Sequence, residues 1–358
     1  MAMKTIPFLL IILIPLFAMP QQPVDGPYVF EKGDSLQVFT IMQQGDQSLA
    51  DRKMAPRLSA VDQALEVMVP VDRNAGFQVK LRARNAVPSD IYAAPSRLFI
   101  VSDIEGEFLP AKRLLMAAGV MDEQYNWIFG NGHLVIAGDL FDRGSEVLPW
   151  LWLLYSLEEK AMAAGGQVHV ILGNHDIMQL SGDYRYTDAR YFKHAWLMGR
   201  SIRAVFDESS ILGRWLRTKN VVEKIGDLLV LHAGVSPKLL STGMTVTDIN
   251  NQCKRYYGLS RRDIPDSSQF LFDNRSPFWY RGYFMEPKQP MALVDSTLQW
   301  FNCKRIVVGH TVMDSISSLY DGKVIGVDVN HHEGKHEGLL IEANGIFVVD
   351  AAGGKRPL

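Results

Sequence analysis

"HLVIAGDLFDRG", residues 133–144, places a short apolar run in front of a glycine and an aspartate. Such a run, closed by Gly-Asp, reads as a buried strand that delivers a carboxylate at its carboxyl end. The same grammar recurs on both sides. "RLFIVSDIEGE" (97–107) lies upstream and "QVHVILGNHD" (167–176) downstream, followed by "DLLVLHAG" (227–234) and "KRIVVGHT" (304–311). Helical patterns, "FLPAKRLLMAAG" (108–119) and "SEVLPWLWLLYSLEEKAMAAGG" (145–166), separate the first three runs. This alternation predicts an α/β fold, a β-sandwich whose strands are covered by helices. The sheet pattern continues at "KVIGVDV" (323–329) and ends in a hairpin, "GLLIEANGIFVVD" (338–350).

The flanking regions read differently. Residues 24–88 hold short alternating runs such as "LQVFTIM", split by "EKGDS" and "QQGDQ", and predict a small β-rich N-terminal module with no ligand cluster. Residues 85–96 have a linker's Pro and Ser content, residues 97–350 form the main domain, and residues 179–226 read as a mostly helical insertion within it. The Trp-rich stretch Leu148 to Leu157 reads as a packed core helix. At the amino end, Ile6 to Ala18 is apolar, too short for a comfortable membrane span, and preceded by one lysine. That pattern makes residues 1–20 a signal peptide and the protein exported and periplasmic, without stable membrane insertion after cleavage; an uncleaved N-terminal anchor is the alternative.

Composition narrows the class. With 47% hydrophobic and 21% charged residues, the 358-residue chain can bury a core, and a net charge of −2 gives no long-range field for holding nucleic acid. Any phosphate recognition must be local. Cys253 and Cys303 are too few for a thiolate metal site, and the sequence leaves open whether they pair.

Ligands of open α/β sheets collect beyond the carboxyl ends of strands, so the distant strand ends can converge on one crevice. Two divalent cations held close together need a bridging carboxylate, further oxygen and imidazole ligands, and open positions for water and substrate. Asp139 is the candidate bridge, because Gly138 lets the backbone turn sharply before it. Asp103 and Glu105 are candidates for one metal, and Asn174, His232 and His310 for the other. Mn, Mg, Fe and Zn all accept such donors.

The motif order, above all "GDLFDRG" (138–144) and "GNHD" (173–176), resembles that of the calcineurin-like metallophosphoesterases, within them the phosphoprotein phosphatase branch. "LSGDYRY" (180–186) and "SPFWYRG" (276–282) make the bacterial Shewanella-like phosphatases the most similar group. The resemblance implies a two-metal phosphomonoesterase acting on a phosphorylated protein, phosphotyrosine included, or on a small-molecule phosphate ester. It implies phosphate held by Arg143 and Arg281, with Asn174 beside it, and His175 as general acid oriented by Asp142. These roles also suit the chemistry. An imidazole near neutral pH can protonate a departing alkoxide, guanidinium forks match phosphate oxygens, and a metal-bridging hydroxide can attack in line.

Where the family has Asp-x-His-Gly, this chain has Asp103-Ile104-Glu105-Gly106. A carboxylate in place of imidazole shifts the donor set toward oxygen, favouring Mn or Mg over Zn. Two other readings remain at this stage. One is phosphoanhydride or phosphodiester hydrolysis, and the other a binding protein silenced by Glu105. The histidine-rich "HHEGKHEG" (331–338) reads as a solvated hairpin loop, and Tyr184, Arg185 and Tyr186 as either substrate wall or helix surface.

Overall fold

The computed structural model describes residues 21–57 and 64–358; the N-terminal apolar stretch lies outside the described residues. The chain opens with a meander, β1 (Gln22–Lys32), β2 (Ser35–Gln44) and β3 (Gln47–Pro56). Its two-residue turns fall at Gly33-Asp34 and Gly45-Asp46, where glycine accepts the positive φ that a tight hairpin demands. A second hairpin pairs β4 (Ala64–Val67) with β5 (Phe77–Lys80). The presumed linker is partly ordered as strand: β6 (Ile91–Tyr92) pairs with β10.

Two six-stranded sheets follow. The first has the order β17-β16-β15-β7-β8-β9, with β7 (Arg97–Val101), β8 (His133–Ala137) and β9 (Gln167–Ile171) parallel at its working end. The second has the order β13-β14-β12-β11-β10-β6, in which β11 (Leu228–Leu231), β12 (Arg305–Val308) and β14 (Val324–Gly326) run parallel. The remaining strands are β10 (Val222–Ile225), β13 (Ser317–Leu319), β15 (Glu337–Glu342), β16 (Gly345–Asp350) and β17 (Lys355–Pro357). Parallel strands share a direction, so the six that carry chemistry end at one edge of the sandwich.

Period-two alternation splits each strand between two cores. Leu98, Ile100, Val135, Ala137 and Ile171 meet Val230, Val307 and Ile325 between the sheets. Phe99, Val101, Leu134 and Ile136 face outward onto helices. This double burial explains why the strands read as unbroken apolar runs. The helices are α1 (Phe108–Ala117), α2 (Val147–Ala163), α3 (Asn174–Ser181), α4 (Ala189–Leu197), α5 (Ile211–Leu216), α6 (Pro237–Leu240), α7 (Val246–Lys254) and α8 (Met291–Phe301). Helix α2 is buried continuously from Val147 to Leu157, as its apolar composition on every side requires.

The region expected to be a helical insertion, 179–226, needs correction. It contains the end of α3, α4, a short 3₁₀ turn and α5, and then β10, which belongs to the second sheet. "VEKI" is too short and too charged to announce a strand from periodicity. It is held by its pairing with β11 and by Asn250 of α7, whose Oδ1 accepts from the Val221 and Val222 N–H groups. The N-terminal meander shares a core with the main domain. Trp152 Nε1 donates to Pro27 O at 2.9 Å, and Glu31 N donates to Ser209 O at 2.7 Å.

A candidate dinuclear metal centre

Asp103, Asp139 and His310 each follow a strand in the left-handed region, at φ 54°, 53° and 64°, and so do Glu105, Asp142 and Arg143. Non-glycine residues avoid this region, so its concentration here marks backbone held by its surroundings for a purpose. The loops are laced together. Asp103 N donates to Gly138 O (3.0 Å), Glu105 N to Asp139 O (3.1 Å), and Gly144 N to Glu105 O (2.8 Å). The Asp176 carboxylate accepts from the N–H groups of Gly173, Asp139 and Leu140, which clamps "GNHD" onto "GDLFD".

Close approach makes two glycines obligatory. A Cβ on Gly173 would stand 2.1 Å from Asp139 Oδ1, and one on Gly138, already at φ +100°, would stand 2.4 Å from His232 Nδ1. Neither gap admits a methyl group.

Two trios of ligand atoms form around Asp139. Asp139, His232 and His310 make one, and Glu105, Asp139 and His175 the other; within each trio the atoms lie within 4.8 Å of one another. Asp103 belongs to neither trio, but its Oδ2 accepts from His310 N at 3.1 Å. His232 Nδ1 lies 2.8 Å from the Ala137 carbonyl, an acceptor, so Nδ1 carries a proton. In the neutral ring, Nε2 then turns its lone pair toward Asn174 Oδ1 at 2.9 Å and Asp139 Oδ2 at 3.2 Å. Electron pairs converging in this way call for a cation. His310 Nε2 is buried with no hydrogen-bond partner among the described residues, a second vacant donor site of the kind a metal satisfies. The donors therefore fit divalent metals.

The charges agree. Burial opposes ionisation of His232, yet the Asp139 and Asp103 carboxylates hold its pKa up at about 10, so that a proton on Nε2 supplies the positive charge there until a metal replaces it. Burial raises Asp103 to about 6, and burial with the Asp139 charge raises Glu105 to about 8. So many carboxylates in one buried space are stable only when positive charge joins them.

His175 stands over this centre. Its Nδ1 is 2.7 Å from Asp142 Oδ2, and its Nε2 faces Glu105 Oε1 at 3.7 Å and Asp139 Oδ2 at 4.0 Å. Against the effect of burial, the Asp142 hydrogen bond and the Asp139 charge lift its pKa to about 9. Arg143 forms an ion pair with Glu105. Arg281 Nη1 donates to His310 O at 2.7 Å, which sets its guanidinium beside the trio of Asp139, His232 and His310. Asp103, Glu105, Asp139, Asp142, Arg143, Asn174, His175, His232, Arg281 and His310 thus gather at one edge.

Further residues stand around the centre, of which Tyr186 was a candidate for the substrate wall and Thr187 and Trp279 were not foreseen. Thr187 Oγ1 lies 3.0 Å from Asp142 Oδ1 and so braces the carboxylate behind His175. The Tyr186 ring lies 5.2 Å from that of His175, and Trp279 meets His310 edge-on at 5.8 Å. Asp328, buried beyond β14, has its pKa raised to about 9 by burial and by Asp103. Asp328 follows an apolar run as the other acids do, and that signal was available. Thr187 and Trp279 had none. The loop 331–338 is not simply solvated: His331 is buried against His336, and His332 meets Glu107. Cys253 and Cys303 are both free.

Known proteins place this geometry. Residues 96–314 match the family description "Calcineurin-like phosphoesterase". The solved cold-active protein-tyrosine phosphatase of a psychrophilic Shewanella species is 33% identical, with a TM-score of 0.84 over 93% of this chain and 99% of that one. Shewanella-like protein phosphatase 2 of Arabidopsis thaliana is 23% identical over 72% of this chain and 77% of its own length. Shewanella-like protein phosphatase 1 of Plasmodium berghei is 26% identical over 60% and 61%. With carboxylates, imidazoles and an amide gathered for two divalent cations, the chain belongs to the calcineurin-like phosphoesterases and is a metal-dependent phosphatase.

Proposed function

We propose that this chain is an exported phosphomonoesterase that prefers aryl phosphates, phosphotyrosine in proteins above all, and works with Mn or Mg. The observation that carries the reading is the His175–Asp142 pair facing the Asp139 trios, in a chain one-third identical over nearly its whole length to a protein-tyrosine phosphatase. Asp103, Glu105 and Asp139 would hold one metal, and Asp139, Asn174, His232 and His310 the other. When bound, the metals supply positive charge to the phosphoryl oxygens and acidify a water.

The chain's own residues do the rest. Arg143 and Arg281 take the remaining phosphate oxygens, which keeps the ester in line for attack. Asn174 Oδ1 and His232 Nε2 fix the far side of the crevice. His175 gives its Nε2 proton to the leaving oxygen, while Asp142, braced by Thr187, keeps Nδ1 protonated and the ring in register. The half-exposed Tyr186 ring beside His175 offers a face to an aromatic leaving group. Glu105, an oxygen donor where the family resemblance implies imidazole, supports Mn or Mg over Zn. Export rests on the Ile6 to Ala18 pattern alone. Among the described residues no helix is long and apolar enough to cross a membrane.

The test is kcat/KM for phosphotyrosine, phosphoserine and phosphothreonine peptides and for bis(p-nitrophenyl) phosphate, each with Mn, Mg and Zn. Phosphotyrosine should lead by about tenfold or more, the discrimination one aromatic contact can give. Equal rates on phosphoserine, or faster diester cleavage, would sink the reading.

A further inference from the structure

A cavity of about 500 Å³ lies away from the metal centre, and none of its lining residues belongs to that centre. It is walled by the distal half of α2 (Glu158, Met162), the outer strand β9 and the segment after β5. Val147 starts α2 next to the catalytic loops, and Met162 lies roughly 20 Å further along the helix. Two apolar side chains in the lining, Val87 and Met162, are 69% and 67% exposed. Tyr92, packed edge-on against His169, adds an aromatic surface.

Arg82, Ala83 and Arg84 also border a second pocket of about 310 Å³. Its lining has four guanidiniums, those of Arg57, Arg82, Arg84 and Arg214, and no carboxylate. The carboxylates stand behind them. Glu31 pairs with Arg57 at 3.1 Å and with Arg214, while Glu158 pairs with Arg82 at 2.6 Å and with Lys219. Arg84 has no side-chain partner among the described residues. At this end of the cleft four guanidiniums are thus answered by two carboxylates, leaving a local excess of two positive charges in a protein whose net charge is −2, whereas the larger cavity adds Lys219 against Glu159 and Glu223. The pairing fixes guanidinium orientation and leaves further N–H groups for a ligand.

We propose that this cleft binds a small organic phosphate, its oxyanion held by Arg82, Arg84 and Arg214 and its aromatic or apolar body laid against Val87, Met162 and Tyr92. The excess charge selects a dianion, which a phosphate monoester is near neutral pH and a single carboxylate is not. The cavity volumes lie in the range of small-molecule sites. The inference is independent of the catalytic reading.

Calorimetric titration of the full-length, metal-loaded chain tests it, with Arg143→Ala introduced to weaken phosphate binding at the metal centre. The probes are phenylphosphonate, methylphosphonate and inorganic phosphate. Phenylphosphonate should bind at one site per chain, about tenfold or more tighter than methylphosphonate, because its ring is buried. Arg84→Glu, an exposed position without a partner, should abolish this site. In the otherwise wild-type chain Arg84→Glu should leave kcat/KM for p-nitrophenyl phosphate unchanged. Val87→Asp should erase the advantage of the phenyl probe while retaining inorganic phosphate binding. Binding indifferent to Arg84→Glu, no binding at all, or methylphosphonate binding as tightly as phenylphosphonate overturns the proposal. A chain inert toward every ester that still gives this titration keeps the inference and removes the catalytic reading.

Discussion

Asp139 is the residue on which the centre turns. Its carboxylate is shared by both ligand trios and accepts from the His175 backbone N–H at 2.9 Å, so one side chain sets the spacing of both proposed metal positions and of the proposed general acid. His175 can be separated from metal binding, since its Nδ1 is committed to Asp142. In His175→Asn, kcat on a phosphate ester with a poor leaving group should fall by about 10²- to 10⁴-fold while metal content by elemental analysis stays unchanged. Loss of metal along with rate would make His175 a ligand instead. Glu105 is the second instructive residue, for it reaches the Asp139 trio and Arg143 at once. Glu105→His exchanges a hard oxygen donor for imidazole and should raise Zn affinity relative to Mn by about tenfold or more in competition titrations. An unchanged ratio would show that Glu105 serves only Arg143. Both residues were legible, because each follows an apolar run within a dense motif. Thr187 was not, because a threonine between helices carries no mark of the carboxylate it will meet.

At the scale of elements, α3 and the loop after it show how local signals build a site. Gly173 caps α3, and Asp176 accepts from its N–H at 2.7 Å while also accepting from Asp139 N. One helix start therefore orders Asn174 and His175 together. Strand β10 shows the opposite case. It lies at the end of the stretch expected to be a mostly helical insertion, and only its neighbours make it a strand. The buried Asn250 side chain accepts from the Val221 and Val222 N–H groups and donates to Val222 O at 2.8 Å. Asn250→Ala leaves these three backbone groups unsatisfied and should destabilise the fold by about 3 kcal/mol or more, at about 1–3 kcal/mol for each stranded group. Denaturant unfolding measures it, and a loss below about 0.5 kcal/mol would mean that β10 is held by β11 and β6 alone.

At the scale of the molecule, the sandwich presents its strand ends as one catalytic edge and buries histidines elsewhere. Burial and His336 push His331 down to about 3, and burial and His169 push His133 down to about 4. Both rings stay neutral in the folded protein at pH values where the unfolded chain, with histidine near 6.5, takes up protons. The unfolded state binds more protons at these two rings below that point, so their contribution to stability should be level above about pH 6.5 and fall as pH drops toward 4 and 3. Urea unfolding across this range checks the slope. His331→Gln, which cannot titrate, should show a shallower decline, and an identical one would exclude His331 from it. The sequence by itself determined the alternating α/β plan and the acidic, imidazole and guanidinium residues of the site, because strand ends and glycine turns are written in adjacent residues. The tertiary structure alone decided that Asp139 sits at the centre of two trios and that Thr187 and Trp279 stand around them. It also decided that the N-terminal meander packs into the main core. Those facts are contacts between segments far apart in the chain, set by sheet order and packing, to which no local pattern corresponds.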